Sequence, residues 1–229
     1  MIGIIGAMKI EVSAIRELMQ DTEAKTLGGI EFVSGTLHGR QIVTAVCGIG
    51  KVAAAMCAQA MILGYSPELI VNTGVGGTLT KDLSVGDIAV AESVVQHDMD
   101  TSPLGDEVGF ISGINVINIP CDAKAVAKLI ESAADFEGVK TLKGVIASGD
   151  QFIADAGKKD FIVGNFSAIA CEMEGAAIGQ VCYTNGVPFA VVRAISDSAD
   201  EEAHMSYAQF LPAAAANAAK MIEFMVINA

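Results

Sequence analysis

Apolar runs of four to six residues recur along the chain, each closing on glycine or a small polar residue and each followed by an alanine-rich or amphipathic stretch. This alternation predicts βα units. IGIIG predicts a buried strand opening into a helix over about Lys9–Met19, QIVTAVC a strand before the helix KVAAAMCAQAMIL, and ELIVNTG a strand running into a glycine-rich turn, GVGG. Runs apolar on both faces suit a central sheet covered on two sides. Further strands are expected at GDIAVAESVV, KGVIASGD, FSAIACEME and PFAVVRAISD. Helices are expected at AKAVAKLIESAADF and at EGAAIGQVCYTNG, which Asn185-Gly186 would stop. A last helix, roughly Tyr207 to Ile227, has Pro212 near its expected first turn, where a missing N–H costs little. No linker, charge run or internal repeat divides the 229 residues, so one α/β domain over 1–229 is expected.

Charge narrows the partners. With 14 basic residues against 27 acidic ones the net charge is −13, which opposes binding to nucleic acid or to an anionic membrane. Charges such as Lys9, Lys51, Lys220 and Glu223 interrupt the longer apolar stretches, so no membrane span is expected. MIGIIGAMKIEV has no basic leader, and five cysteines (Cys47, Cys57, Cys121, Cys171, Cys182) form no CxxC pair, which fits a reducing cytoplasm.

Polar residues stand at the expected strand ends. Glu11 follows the first strand, Gly77 lies in a turn after another, Glu174 follows SAIACEM and Asp197 follows PFAVVRAIS. Open α/β sheets bind ligands at the carboxyl ends of their strands, so these segments converge on one expected pocket. Each acid also has a plain structural explanation. Glu11 suits the first turn of a helix, Asp197 an N-cap, and Asp200 to Glu202 a solvated stretch. Glu174 is harder to explain so, because its neighbours on both sides are apolar and a buried carboxylate needs donors, which ligand hydroxyls supply. Glu172 has no role legible in the sequence.

Other motifs are weaker. Gly48, Gly50 and Ala53 satisfy G-x-G-x-x-A, but Glu68 precedes its strand instead of following it, so a tight strand-to-helix turn is the better explanation. His97, Asp98 and Asp100 have the side chains of metal ligands without a partner cluster, which favours a solvated loop. His38 reads as a turn residue and His204 as a polar lead into the last helix; neither adjoins a nucleophile motif.

Seven blocks, GIIGAMKIEV, CGIGKVAAA, NTGVGGTL, SGDQFI, CEMEGAA, VPFAVVRAISDSAD and SYAQFL, are collinear over almost the whole chain. Together they closely resemble the 5′-methylthioadenosine/S-adenosylhomocysteine nucleosidases of the nucleoside phosphorylase superfamily. The resemblance implies a three-layer α/β/α fold with a central mixed sheet, a homodimer, and hydrolysis of 5′-thioadenosines to adenine and a thioribose without metal or organic cofactor. It makes Glu11 the base that activates water and Asp197 the acid that protonates adenine N7. Glu174 would accept from the ribose hydroxyls with Met173 beside the sugar, Phe152 would stack on adenine, and Ile153 would read the base through its backbone. Gly77 would border sugar and base, Met8, Ile49 and Tyr207 would line the 5′ tail, and Arg193 and Ser196 complete the expected substrate site.

Two departures stand out. Val75 replaces the serine that helps hold water in many members, leaving that task to Glu11 and Arg193. The loop HDMDTSPLGDEVG has Leu104 and Asp106 where many members carry aromatics, which leaves the preferred 5′ group open, 5′-deoxyadenosine included. The competing readings are a phosphate-dependent phosphorylase, a futalosine- or AMP-type nucleosidase, and a non-catalytic nucleoside sensor.

Overall fold

The computed structural model describes residues 1–133, 136, 138–200 and 203–227, and of 204–206 the main chain only; the acids expected at 201 and 202 and the side chain of His204 lie outside this set. The apolar runs are strands. They are β1 (Ile2–Gly6), β4 (Arg40–Val46), β5 (Leu69–Thr78), β6 (Ile88–Gln96), β8 (Thr141–Ser148), β9 (Ala168–Glu172) and β10 (Phe189–Asp197). Three more were not foreseen: β2 (Gln20–Leu27), β3 (Ile30–Leu37) and the short β7 (Ile119–Pro120). The helices are α1 (Lys9–Leu18), α2 (Lys51–Tyr65), α3 (Ala123–Ala133), α4 (Ala156–Phe166), α5 (Gly175–Asn185) and α6 (Ala203–Ile227), of which α4 was not expected.

All strands join one mixed sheet in the order β10-β6-β8-β9-β5-β1-β4-β3-β2, with β7 on β6. Because β10 also pairs with β5, the strands β5, β10, β6, β8 and β9 close into a ring, and β1, β4, β3 and β2 extend from it. Pairing is parallel for β1–β4, β1–β5, β5–β10, β6–β8 and β8–β9, and antiparallel elsewhere. Helix α6 packs on α1, α3 and β10, while α2 packs on α5, giving the three layers.

Two expectations are corrected here. GVGG is no turn: β5 runs on through it, because β10 pairs its residues up to Gly77 on one side and β9 pairs Gly77 and Thr78 on the other. Pro212 is not in a first turn but lies inside α6, which begins at Ala203. The lost hydrogen bond is offset by the buried face Ala214, Ala215, Ala218, Met221, Ile222 and Met225. Residues Tyr207–Ile227 of this helix are apolar and long enough to cross a membrane by length and composition, and 44% of an 18-residue window of them is buried inside the protein.

Candidate active site

The site begins with glycines that make room for carboxylates. A Cβ at Gly74 would stand 2.5 Å from Glu11 Oε1, and one at Gly77 would stand 2.6 Å from Asp197 Oδ1. Both acids therefore rest directly on the main chain of β5. Glu11 does serve as a first-turn acid, since its Oε2 accepts the Met8 N–H at 2.8 Å, but its Oε1 reaches across to accept the Val75 N–H at 3.1 Å. Burial pushes its pKa above 4.5, against the pull of the Arg193 charge and these N–H donors.

Asp197 is placed by a break in register. Between Ile195 and Asp197 the pairing of β10 with β5 advances by only one residue on β5, from Gly76 to Gly77. Such a bulge re-aims a side chain at a strand end. Asp197 Oδ1 then accepts the Ala199 N–H at 2.9 Å and Oδ2 the Ser196 hydroxyl at 2.8 Å; it caps no helix, since α6 starts six residues later at Ala203. Burial raises its pKa above 3.8, although both donors oppose the shift. A raised pKa favours the protonated carboxyl, the form that can donate a proton.

The two acids flanking Met173 prove to do different things. Strand β9 ends at Glu172, so Glu174 does not share its face but opens α5 as the residue before Gly175. Glu172 faces inward. It pairs with the buried Arg193 guanidinium, accepts the Ser148 hydroxyl, and accepts the N–H groups of Glu174 and Gly175 at 3.1 and 2.7 Å. Glu174 accepts the Gly50 N–H at 2.9 Å and lies 3.9 Å from Arg193. Burial first, then the Glu172 charge, pushes its pKa up to about 7, with Arg193 opposing. A carboxyl that binds its proton more tightly folded than unfolded stabilises the fold at low pH, and loses that contribution as pH rises from about 4.5 to 7. Glu174→Gln is therefore expected to remove a fall in stability on the order of 1–3 kcal/mol across that window, read from thermal or urea melts between pH 4.5 and 7.5.

These groups line one cavity of about 280 Å³. Its walls are Ala7, Met8, Glu11, Val75, Gly76 and Gly77 from the first and fifth strand ends, Cys171 to Glu174 from the β9–α5 junction, and Ser196 and Asp197 from β10. Ile49, Gln151, Phe152, Ile153 and Tyr207 complete it. The Phe152 ring, 46% exposed, meets Tyr207 edge to face at 5.6 Å, and the Tyr207 hydroxyl lies 3.4 Å from Met8 Sδ. The Cys171 thiol has its pKa raised by burial, which keeps it neutral and unsuited to attack.

The sequence pattern of the phosphorylase superfamily matches residues 1–226. The chain belongs to that superfamily. It is 40% identical over 222 residues to the 5′-methylthioadenosine/S-adenosylhomocysteine nucleosidase of Shewanella halifaxensis, covering 96% of each chain. It is 42% identical over 227 residues to the aminodeoxyfutalosine nucleosidase of Helicobacter pylori, covering 98% of this chain and 97% of that one. The crystal structure of the Neisseria meningitidis 5′-methylthioadenosine/S-adenosylhomocysteine nucleosidase with methylthio-immucillin-A superposes with a TM-score of 0.96 at 36% identity, covering 100% of this chain and 99% of that one.

In this superfamily member the cavity gathers Glu11, Asp197, Gly77, Phe152, Ile153, Met173, Glu174, Met8, Ile49, Ser196 and Tyr207, all expected from the sequence. Arg193 is the exception. It is not among the residues lining the cavity: its two terminal nitrogens donate to Asn72 Oδ1, the Asn72 and Val192 carbonyls and Glu172, and it adjoins the site through the acids. At position 75 the main chain contributes, the Val75 N–H donating to Glu11 Oε1. Sequence reasoning missed Glu172, whose partners Ser148 and Arg193 lie 24 and 21 residues away along the chain.

The weaker motifs are also placed. The GIGK turn joins β4 to α2 with Gly48 and Gly50 at φ of 88° and 97°, and Glu68 binds the Met1 amino group. The expected solvated loop is only partly so: His97 is buried against Gly149 and Asp98 pairs with Lys51, while Asp100 is exposed. Among the described residues no three His, Cys, Asp or Glu side chains are grouped to hold a metal ion.

Proposed function

We propose that the protein hydrolyses the N-glycosidic bond of 5′-methylthioadenosine and S-adenosylhomocysteine, and of 5′-deoxyadenosine, releasing adenine and the 5-substituted ribose. The observation that carries this reading is that two desolvated carboxylates, Glu11 and Asp197, come from different strand ends to one cavity that Glu174 also lines. Asp197 gives its proton to adenine N7, so the base leaves neutral as the C1′–N9 bond breaks. The ribosyl centre passes through an oxocarbenium-like state that water attacks while Glu11 takes its proton. Glu174 accepts from the ribose hydroxyls, Phe152 stacks on adenine, and Ser196 holds Asp197 by its hydroxyl. Met8, Ile49 and Tyr207 receive the 5′ tail. The reaction places the protein in methionine salvage. Five buried free cysteines fit a cytoplasmic enzyme, and the family resemblance favours a homodimer.

A phosphorylase would need cations beside C1′. Among the described residues no lysine or arginine lines the cavity; Arg16 is engaged by Thr44 and Glu31, and Arg193 by Asn72 and Glu172. The Glu11 carboxylate would moreover oppose each negative charge of a phosphate by about 4 kcal/mol at 4 Å with an effective dielectric near 20. Adenine release is therefore expected at full rate in phosphate-free buffer, with free 5-substituted ribose as the co-product by chromatography. A strict phosphate requirement with ribose 1-phosphate as product would hand the protein to the phosphorylases. Adding aminodeoxyfutalosine to the substrate panel tests the 5′ group suggested by the Helicobacter pylori relative.

A further inference from the structure

The loop carrying Phe152 and Ile153 is held by a polar network that the chemistry above does not use. Lys51, the first residue of α2, donates its Nζ to Asp98 Oδ1 at 2.6 Å and to Gln96 Oε1 at 3.0 Å. Asp98 Oδ2 accepts the Asp150 N–H at 2.9 Å, and Asp150 Oδ1 accepts the Lys51 N–H at 2.7 Å. The three residues close a ring. Gln96 extends it, donating to Gln180 of α5 at 2.6 Å.

This ring acts where the sheet stops. Strands β6 and β8 pair up to Gln96 and Ser148, and the network grips the residues just beyond both ends. His97 reinforces it: its N–H donates to the Ser148 carbonyl at 3.0 Å, and a Cβ at Gly149 would come within 2.3 Å of its Nε2, so a larger residue there would force the ring to shift. Lys51 and Asp98 side chains are only 18% and 19% exposed, so their pair is less screened than a surface ion pair. Burial alone would raise the Asp98 pKa, but the hydrogen bonds from Lys51 and Asp150 hold it below 3.8. Next along the loop, Gln151, Phe152 and Ile153 face the cavity. One residue before Lys51, the Gly50 N–H binds Glu174 through main chain alone.

We propose that Lys51, acting through Asp98 and Asp150, is a positioning residue for the purine: it fixes residues 149–153 so that the Phe152 ring and the Ile153 main chain meet the base in register. The inference rests on the adenine reading above. The Lys51 side chain touches neither Glu11 nor Asp197 nor Glu174, so its loss should appear in base affinity and not in the chemical step. Lys51→Met and Asp98→Asn are expected to raise the KM for 5′-methylthioadenosine and the Kd for free adenine about tenfold each, the order of one charge-assisted hydrogen bond. The fall in kcat should stay within about twofold. Lys51→Arg, which can still reach Asp98 and Gln96, should recover most of the affinity, and inhibition by free 5-methylthioribose should not change. Adenine affinity unaltered in both variants, or a loss of kcat as large as the loss of affinity, overturns the proposal. Failure of the wild-type protein to release adenine would instead overturn the functional reading.

Discussion

Asp197→Asn is expected to lower kcat for adenine release by about 10²–10⁴-fold while substrate still binds. The amide keeps the shape of the carboxyl and can still accept the Ala199 N–H through its oxygen, so the bulge and the strand end should hold. What it cannot do is deliver a proton from a carboxyl to N7, and adenine expelled as an anion is a poor leaving group. The raised pKa of the native residue points the same way, since its cause is burial beside the cavity. Single-turnover adenine release and a separate Kd for the intact nucleoside measure the two halves of the expectation. A variant retaining more than about a tenth of wild-type kcat would remove Asp197 from the path of the proton.

Arg193→Met is expected to cost about 3–5 kcal/mol of folding stability, because it removes the cation from a buried cluster and leaves Glu172 and Glu174 facing each other. Glu172 would keep Ser148 and two backbone N–H donors, which soften the loss without replacing the charge. The double variant Arg193→Met with Glu172→Gln should recover much of the difference, since burying a neutral, hydrogen-bonded side chain avoids the uncompensated anion. Urea unfolding of the two single variants and the double one gives the coupling directly. Equal losses that simply add would show that the pair is not what stabilises this part of the core.

What could be read from the sequence follows from where its physical causes lie. Strands β1, β5 and β10 are buried along nearly their whole length, and β6 and β8 carry the apolar runs IAVA and VIA, so pattern alone finds them. β2 is QDTEAKTL, exposed along almost all its length, and owes its existence to pairing with β3, which no local pattern reports. α4 escaped for a similar reason, with only Ile162 and Phe166 buried among its residues. At the site, residues on strand ends were legible because sheet topology brings strand ends together. Arg193 shows the limit: its position on β10 is as expected, but the direction of its side chain is decided by Asn72 and Glu172, on two other strands. GVGG was mistaken for a turn because glycine usually signals one; here it marks the close approach of acids to a strand.

Those glycines also determine which parts of the pocket can change. Behind Glu11 and Asp197 the wall is the main chain of β5, and a side chain added at Gly74 or Gly77 collides with the very carboxylates it adjoins. Main chain cannot be altered one side chain at a time. The mouth, by contrast, is built from the side chains of Met8, Ile49, Phe152 and Tyr207. Substitutions that escape an inhibitor should therefore accumulate at the mouth, against groups that extend along the 5′ tail. A compact inhibitor that spends its contacts on the strand and its two acids leaves resistance little to work with.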